Sequence, residues 1–204
     1  MKPILFSTPM VQAILKGRKT MTRRVMKPQP VGEIKNRDYY EFYGTKTARI
    51  FTDTQGLCAK YALDDILWVR ETWYQHYDGS FAYRASSELE TKGWRPSIFM
   101  PREACRIFLR VTDVRAERLQ DITPEDVQRE GLEAELPSEE AKARYPEGSD
   151  EMIGVHNWCK EYSQFIFRNL WNSINSKRGF GWDANPWVWV ISFERCEKPE
   201  ATSC

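Results

Sequence analysis

The chain opens on a short apolar run, Ile4-Leu5-Phe6, and then changes period. Ser7-Thr8-Pro9 predicts a helix start with Thr8 as the cap and Pro9 as first helical residue: the hydroxyl satisfies an orphan amide and proline has none to satisfy. Val11, Ile14 and Leu15 then share one helical face, and Gly17 stands where a left-handed C-terminal cap belongs. Thr20 to Val25 suits extended backbone, which Pro28 and Pro30 bring to a stop. Residues 31 to 64 alternate only weakly, as in Ala48-Arg49-Ile50-Phe51-Thr52, and fit one hairpin or an irregular excursion.

Asp64-Asp65 is a turn dipeptide feeding a strand, Ile66-Leu67-Trp68-Val69-Arg70-Glu71, whose middle is β-branched and aromatic. Ile66, Trp68 and Arg70 share one face; Leu67, Val69 and Glu71 share the other. Burying a lone charge costs several kcal/mol, so Arg70 and Glu71 either project at the strand mouth or find partners. Phe81-Ala82-Tyr83-Arg84 predicts another short strand, and Trp94 to Arg102, bracketed by prolines, an ordered loop with a brief extended core. Cys105 to Leu119 has the clearest alternation, with Ile107, Leu109 and Val111 on one face and a bend or bulge expected at Asp113.

Thr123-Pro124 with Asp126 three residues after the cap reads as a variant capping box, opening a helix over roughly residues 124 to 130 that Gly131 closes. Glu133 to Asn157 carries seven acidic residues against Lys142 and Arg144. It is expected to be an exposed insertion with partial helix around Ser138 to Tyr145. Trp158 to Ile174 has a helical stripe of Tyr162, Phe165, Ile166, Asn169 and Leu170, long enough to pack on a sheet. Ser173 to Pro186 reads as a loop. Trp187-Val188-Trp189-Val190-Ile191-Ser192-Phe193 is a buried strand, apolar on both faces, that closes the fold. Five to seven short strands with two or three irregularly spaced helices predict a small antiparallel, barrel-like α+β domain.

Composition narrows the picture. At 204 residues with 41% hydrophobic content and eight tryptophans, the chain fits one globular domain, residues 1–204, with the acidic insertion at about 133–157. A net charge of +1 excludes a polycation, so affinity for nucleic acid must come from a local patch. Five scattered cysteines (Cys58, Cys105, Cys159, Cys196, Cys204) have no Cys-x-x-Cys spacing and only His76 and His156 beside them. Neither a disulfide scaffold nor a metal site is expected, and no cofactor. No signal peptide is read at the N-terminus and no stretch reaches the roughly 20 apolar residues of a membrane span, so a reducing, cytoplasmic setting without membrane partners is expected.

The local patch is Gly17-Arg18-Lys19-Thr20-Met21-Thr22-Arg23-Arg24. Between Lys16 and Arg37 stand eight Lys and Arg residues against one carboxylate, Glu33. This field favours a phosphate or another anion. The segment follows directly on a short helix, on a turn with free backbone groups, a location suited to recognition.

Gly17-Arg18-Lys19-Thr20-x-Thr22, the strand Asp65-Ile66-Leu67-Trp68-Val69-Arg70-Glu71, the helix Ile122-Thr123-x-Glu125-Asp126-x-x-x-Glu130-Gly131 and the aromatic terminal strand together resemble the ASCH domain. The resemblance spans nearly the whole chain. It is nearest to the longer ASCH proteins of bacteriophages and prophages, with Trp171-x-x-Ile174-Asn175 and Asn185-Pro186-Trp187-Val188-Trp189. ASCH domains belong to the PUA-like superfamily, so the resemblance implies a small PUA-like β-barrel with flanking helices that binds RNA or modified nucleosides. One small bacterial branch removes the acetyl group from N4-acetylcytidine, an amidohydrolase reaction; carried over by position, its catalytic residues are Lys19, Thr22 and Glu130.

Amide hydrolysis asks for an activated nucleophile. Thr22 needs a base within hydrogen-bond reach, and Lys19 supplies one if its proton is loosened. Arg18, Arg23 and Arg24 push the Lys19 pKa down by like-charge repulsion; Glu130 pulls the other way and either orients the lysine or shuttles the proton. Residues three apart on a strand point to opposite faces, so Lys19 and Thr22 converge only where the backbone turns. The expected pocket comprises residues 17 to 24 with Arg70, Glu71 and Glu130. A non-catalytic RNA-binding module is the alternative: Arg18, Arg23, Arg24 and Arg70 would position phosphates and Trp73, Trp94 and Phe99 would stack on bases, while Trp187 and Trp189 pack the core. A third reading is a phage accessory protein that docks other proteins through the acidic 133–157 segment.

Overall fold

The computed structural model describes residues 1–31, 56–88, 91–134, 136–145 and 147–199, together with the backbone of 36–42 and 45–51. Glu33, Lys35 and Cys204 lie outside the described residues. The strands are β1 (Lys2–Leu5), β2 (Met21–Val25), β3 (Asn36–Phe42), β4 (Thr45–Phe51), β5 (Gly56–Cys58), β6 (Ile66–Arg70), β7 (Trp73–Gln75), β8 (Phe81–Tyr83), β9 (Phe108–Arg118) and β10 (Trp187–Cys196); the helices are α1 (Thr8–Leu15), α2 (Pro124–Arg129), α3 (Glu139–Arg144) and α4 (Asp150–Asn175).

Strand β10 carries apolar side chains on both faces because it lies inside the main sheet, ordered β1-β6-β9-β10-β2, with α1 packed against one face and α2 and α4 against the other. Its Trp189, Ile191 and Phe193 join Ile4, Phe6, Val69, Leu109, Val111 and the α1 residues Val11 and Ile14 in one core cluster. Val188 and Val190 join Met21, Val127 of α2 and Phe167 and Trp171 of α4 in the other. The pairing of β1 with β6 is parallel and the rest of this sheet is antiparallel. The fold is therefore α+β with a mixed sheet.

The sheet is open: among the described residues no backbone ladder joins its edge strands, β1 and β2, so the expected barrel does not close through these strands. The edges approach nonetheless, because the Arg24 side chain of β2 donates from Nη2 to the Leu5 carbonyl of β1 at 2.8 Å. A side-chain clasp stands where a ladder would close a barrel. Strands β3, β4 and β5 form a separate three-stranded sheet, and β7 with β8 a third, which brings the strand total among the described residues above the expected five to seven.

The bulge expected near Asp113 is present. The register passes from Ser192 opposite Asp113 to Phe193 opposite Val111, leaving Thr112 as the extra residue. Leu109 and Val111 before it and Val114 and Ala116 after it are all buried in the same cluster, although the two pairs differ in parity. One inserted residue restores the apolar phase.

Two expectations about helices are corrected. The N-cap of α1 is Ser7, with Thr8 already helical, and Ser7 makes no side-chain cap bond. In α4 the buried positions are Met152, Cys159, Ser163, Phe167, Trp171 and Asn175, not the expected stripe; Tyr162 and Phe165 face solvent and Trp158 stacks flat on Tyr162 at 5.4 Å. This helix starts at Asp150, inside the segment expected to be an insertion, because the Ser149 hydroxyl accepts the Met152 amide and Asp150 and Glu151 favour the positive end of the dipole. Within that segment α3 forms where partial helix is expected, capped by Ser138. Ser173–Asn175 belong to α4, so the loop starts after them.

Candidate functional site

The site is built where α1 hands the chain to β2. Gly17 takes φ +73, a left-handed conformation that glycine adopts without Cβ strain, and turns the chain so that Arg18 and Lys19 amides both donate to the Ala13 carbonyl. Lys19 then forms an isolated antiparallel bridge with Glu130 at the end of α2, and the Thr20 amide donates to the Arg129 carbonyl at 2.9 Å. The distant helix end is thereby tied to the start of β2.

Helix α2 is positioned by its own cap. The Thr123 hydroxyl accepts the Asp126 amide at 3.2 Å, Pro124 follows the cap, and Gly131 closes the helix at φ +90. A Cβ on Gly131 would lie 2.8 Å from the Ala13 Cβ and 2.9 Å from the Lys19 Cβ. Glycine here permits the close approach of α1, α2 and the Lys19 side chain.

Lys19 and Glu130 form a buried ion pair. The ammonium donates to Glu130 Oε2 and to the Glu130 carbonyl, both at 2.7 Å, with side chains 0% and 3% exposed. That second bond answers the unfavourable placement of a carboxylate at a helix C-terminus by bringing a cation to the last carbonyls. Burial lowers the Lys19 pKa, Glu130 opposes it by charge and hydrogen bond, and Arg24 and Arg23 add smaller lowering effects. Desolvation, which residue spacing does not reveal, outweighs the like-charge repulsion expected from the sequence.

Arg23 is not a phosphate-facing surface cation. It is 4% exposed and points to the α2 side of the sheet, where it donates to Asp126, lies 3.2 Å from Glu117 and 3.6 Å from Glu130 Oε1. Arg115 extends the network from Asp126 to Glu117 and Asp113. The result is a chain of alternating charge across the buried face, whose members hold one another in place.

One oxygen is left over. Glu130 Oε1 is buried, has no hydrogen-bond partner among the described residues, and belongs to a residue lining a cavity of about 480 Å³. This cavity follows the edge strand β2, a position where alternate backbone groups remain unpaired by the sheet. Thr22, Arg23 and Arg24 line it from β2, Phe6 and Ser7 from the entry to α1, and Phe167, Trp171 and Asn175 from α4. Arg178 and Phe180 add to the wall, and Lys27 packs its ammonium over the Phe180 ring at 5.3 Å. Thr22 and Glu130 thus meet at one hollow. Lys19 is fully enclosed and acts on that hollow through Glu130.

The remaining expected residues disperse. Arg18 is exposed and pairs with Glu133 at 3.3 Å; Thr20 is half-buried and serves the backbone junction. Glu71, 1% exposed, makes a two-pronged pair with Arg106 at 2.9 and 3.0 Å, which supplies the partner its burial demands. Arg70 donates to the Ile98 carbonyl and lies over the Trp68 ring. Trp73 is a core residue packed with Met100 and Ala104, while Trp94 is half-buried beside Tyr74 and faces a different, polar hollow. None of these six lines the cavity that holds Glu130 and Thr22. Sequence reasoning did not assign Phe6, Asn175, Arg178 or Phe180 to the site; the local signals were the apolar Phe6 before a helix cap, Asn175 in the Trp171-x-x-Ile174-Asn175 pattern and the Gly-flanked Phe180.

Among the described residues no group of three or more His, Cys, Asp or Glu side chains is placed to hold a metal ion, and no helix is long and apolar enough to cross a membrane. In comparisons with known proteins, no family model matches this chain, and neither the curated proteins nor the solved structures yield a match.

Proposed function

We propose that this chain is a nucleoside-binding protein of the ASCH type, with a PUA-like relationship of sheet and helices, and that its cavity hydrolyses the N-acyl group of an acylated cytidine-type nucleoside. The observation that carries this reading is Glu130 Oε1, buried, 3.6 Å from the Arg23 guanidinium yet without a hydrogen bond among the described residues, on a residue that lines a cavity of about 480 Å³ together with Thr22. Arg23 offsets the charge of this oxygen but leaves its hydrogen-bonding capacity unused, and a ligand amide or amine N–H fills it. The volume lies within the range of small-molecule sites, and Phe6, Phe167, Trp171 and Phe180 provide flat apolar walls for a base.

In the proposed reaction the Thr22 hydroxyl attacks the acyl carbonyl carbon and its proton passes to Glu130. The tetrahedral intermediate collapses as the exocyclic amine leaves with a proton from Glu130, giving an acyl-threonine that water then hydrolyses. Lys19 is a positioning residue: its ammonium donates to Glu130 Oε2 and to the Glu130 backbone carbonyl, each at 2.7 Å, which holds the carboxylate with Oε2 engaged and leaves Oε1 for the proton. Liquid chromatography of N4-acetylcytidine incubated with the protein tests this. The expected result is release of cytidine and acetate, abolished in Thr22→Val, and in Glu130→Gln with thermal stability checked in parallel. No release from a folded wild-type protein that binds the nucleoside contradicts the hydrolytic half; no binding contradicts the whole.

A further inference from the structure

A second cavity, of about 430 Å³, adjoins the first. It is lined by Ile4 and Leu5 of β1, Arg24 of β2, Lys60 and Tyr61 before β6, and Trp189 of β10. Arg24 and Lys27 line both cavities, as do Leu5 and Val25. The two hollows therefore occupy the seam of the open sheet on either side of the Arg24 to Leu5 clasp.

Arg24 is held for a purpose its own contacts do not exhaust. Its guanidinium stacks over the Phe6 ring at 5.4 Å and spends one donor on the Leu5 carbonyl. It is half-buried and has no carboxylate within ion-pair distance among the described residues, in contrast to Arg23 next to it, which has three. Burial depresses the Arg24 pKa, and the charges of Tyr61 and Glu130 oppose it without overcoming it. Lys27, exposed on the same wall, likewise has no carboxylate partner among the described residues. A fixed guanidinium fork with spare donors suits a phosphate oxygen pair, and an aromatic wall suits a base.

We infer that the seam binds a dinucleotide unit: the acylated base sits in the cavity of Thr22 and Glu130, the bridging phosphodiester lies on Arg24 and Lys27, and the adjoining nucleotide occupies the second cavity against Tyr61 and Trp189. This rests on the nucleoside reading above and adds to it that the ligand is a segment of single-stranded nucleic acid rather than a free nucleoside.

Titration calorimetry with two probes tests it: N4-acetylcytidine, and the same nucleoside joined through a 3′,5′-phosphodiester to uridine. The dinucleotide is expected to bind at least about tenfold tighter, and its affinity to fall with salt with an extra logarithmic slope of about −0.7, one phosphate's worth. Arg24→Gln should bring the two probes to within about threefold of each other. Because that substitution also removes the clasp to Leu5, Lys27→Gln, at an exposed position, provides the second variant and should narrow the gap two- to fivefold. Equal affinities in wild type overturn the inference and leave the nucleoside reading standing. A dinucleotide preference that both variants retain overturns it too. Absence of binding by both probes overturns it together with the nucleoside reading.

Discussion

Lys19 lies behind the cavity that Glu130 lines and does not itself line it. Its ammonium is fully enclosed and committed to Glu130, so removing it strands a carboxylate in the interior. Breaking a buried pair from one side costs about 3–5 kcal/mol. Lys19→Met is expected to lose that much in urea denaturation. The titration of Lys19 adds a signature of its own. Burial holds its pKa below the ordinary 10.5, so between the folded value and 10.5 the unfolded chain binds more protons than the native one, and stability rises with pH. Wild type should therefore gain stability relative to Lys19→Met on approach to pH 10.5, and the difference should level off above it; a flat difference would mean that the lysine keeps its ordinary affinity for protons. Gly131→Ala acts on the same pair from the backbone. Its left-handed φ and the 2.8 and 2.9 Å approaches predict a loss of about 1–3 kcal/mol, with Lys19 displaced in the process.

At the scale of elements, local chemistry was readable and facing was not. Thr123, Pro124, Asp126 and Gly131 announce α2 because capping is decided within a few residues, and the apolar phase of β9 announces its bulge for the same reason. Helix α4 has aromatic residues around its circumference, so periodicity alone offers two faces: Tyr162 and Phe165 on one, Phe167 and Trp171 on the other. What decides is the shape of the sheet face beneath, including Met21, Val188 and Val190, which no local pattern in the helix encodes. Phe167→Ala should cost about 3–5 kcal/mol by chemical denaturation, whereas Phe165→Ser, on the exposed side, should stay within about 0.5 kcal/mol. Equal costs would return the buried stripe to the face expected from sequence. The candidate site divides along the same line. Glu130 was placed with Lys19 by resemblance rather than by spacing, for 111 positions separate them; Arg23, read as a surface cation, is drawn inward by Asp126 and Glu117, whose sequence neighbourhoods carry no mark of it.

Across the molecule, the feature that places both cavities is an open sheet. Among the described residues the Arg24 side chain of β2 is hydrogen-bonded to the Leu5 carbonyl of β1 where no ladder joins these edge strands, and both cavities lie along that seam. A chain of net charge +1 thus presents Arg24, Lys27 and Arg178 around one opening, while the buried cations Lys19 and Arg23 are paired internally with Glu130 and Asp126. Anion affinity is expected to be local and salt-sensitive rather than a property of the whole surface. The most direct test is chemical-shift mapping of the labelled protein during titration with N4-acetylcytidine. The account predicts saturable shifts at Phe6, Thr22, Arg24, Glu130, Trp171 and Asn175, residues that line the cavity with Glu130. Shifts confined to residues outside that hollow, or none at millimolar ligand, would contradict it.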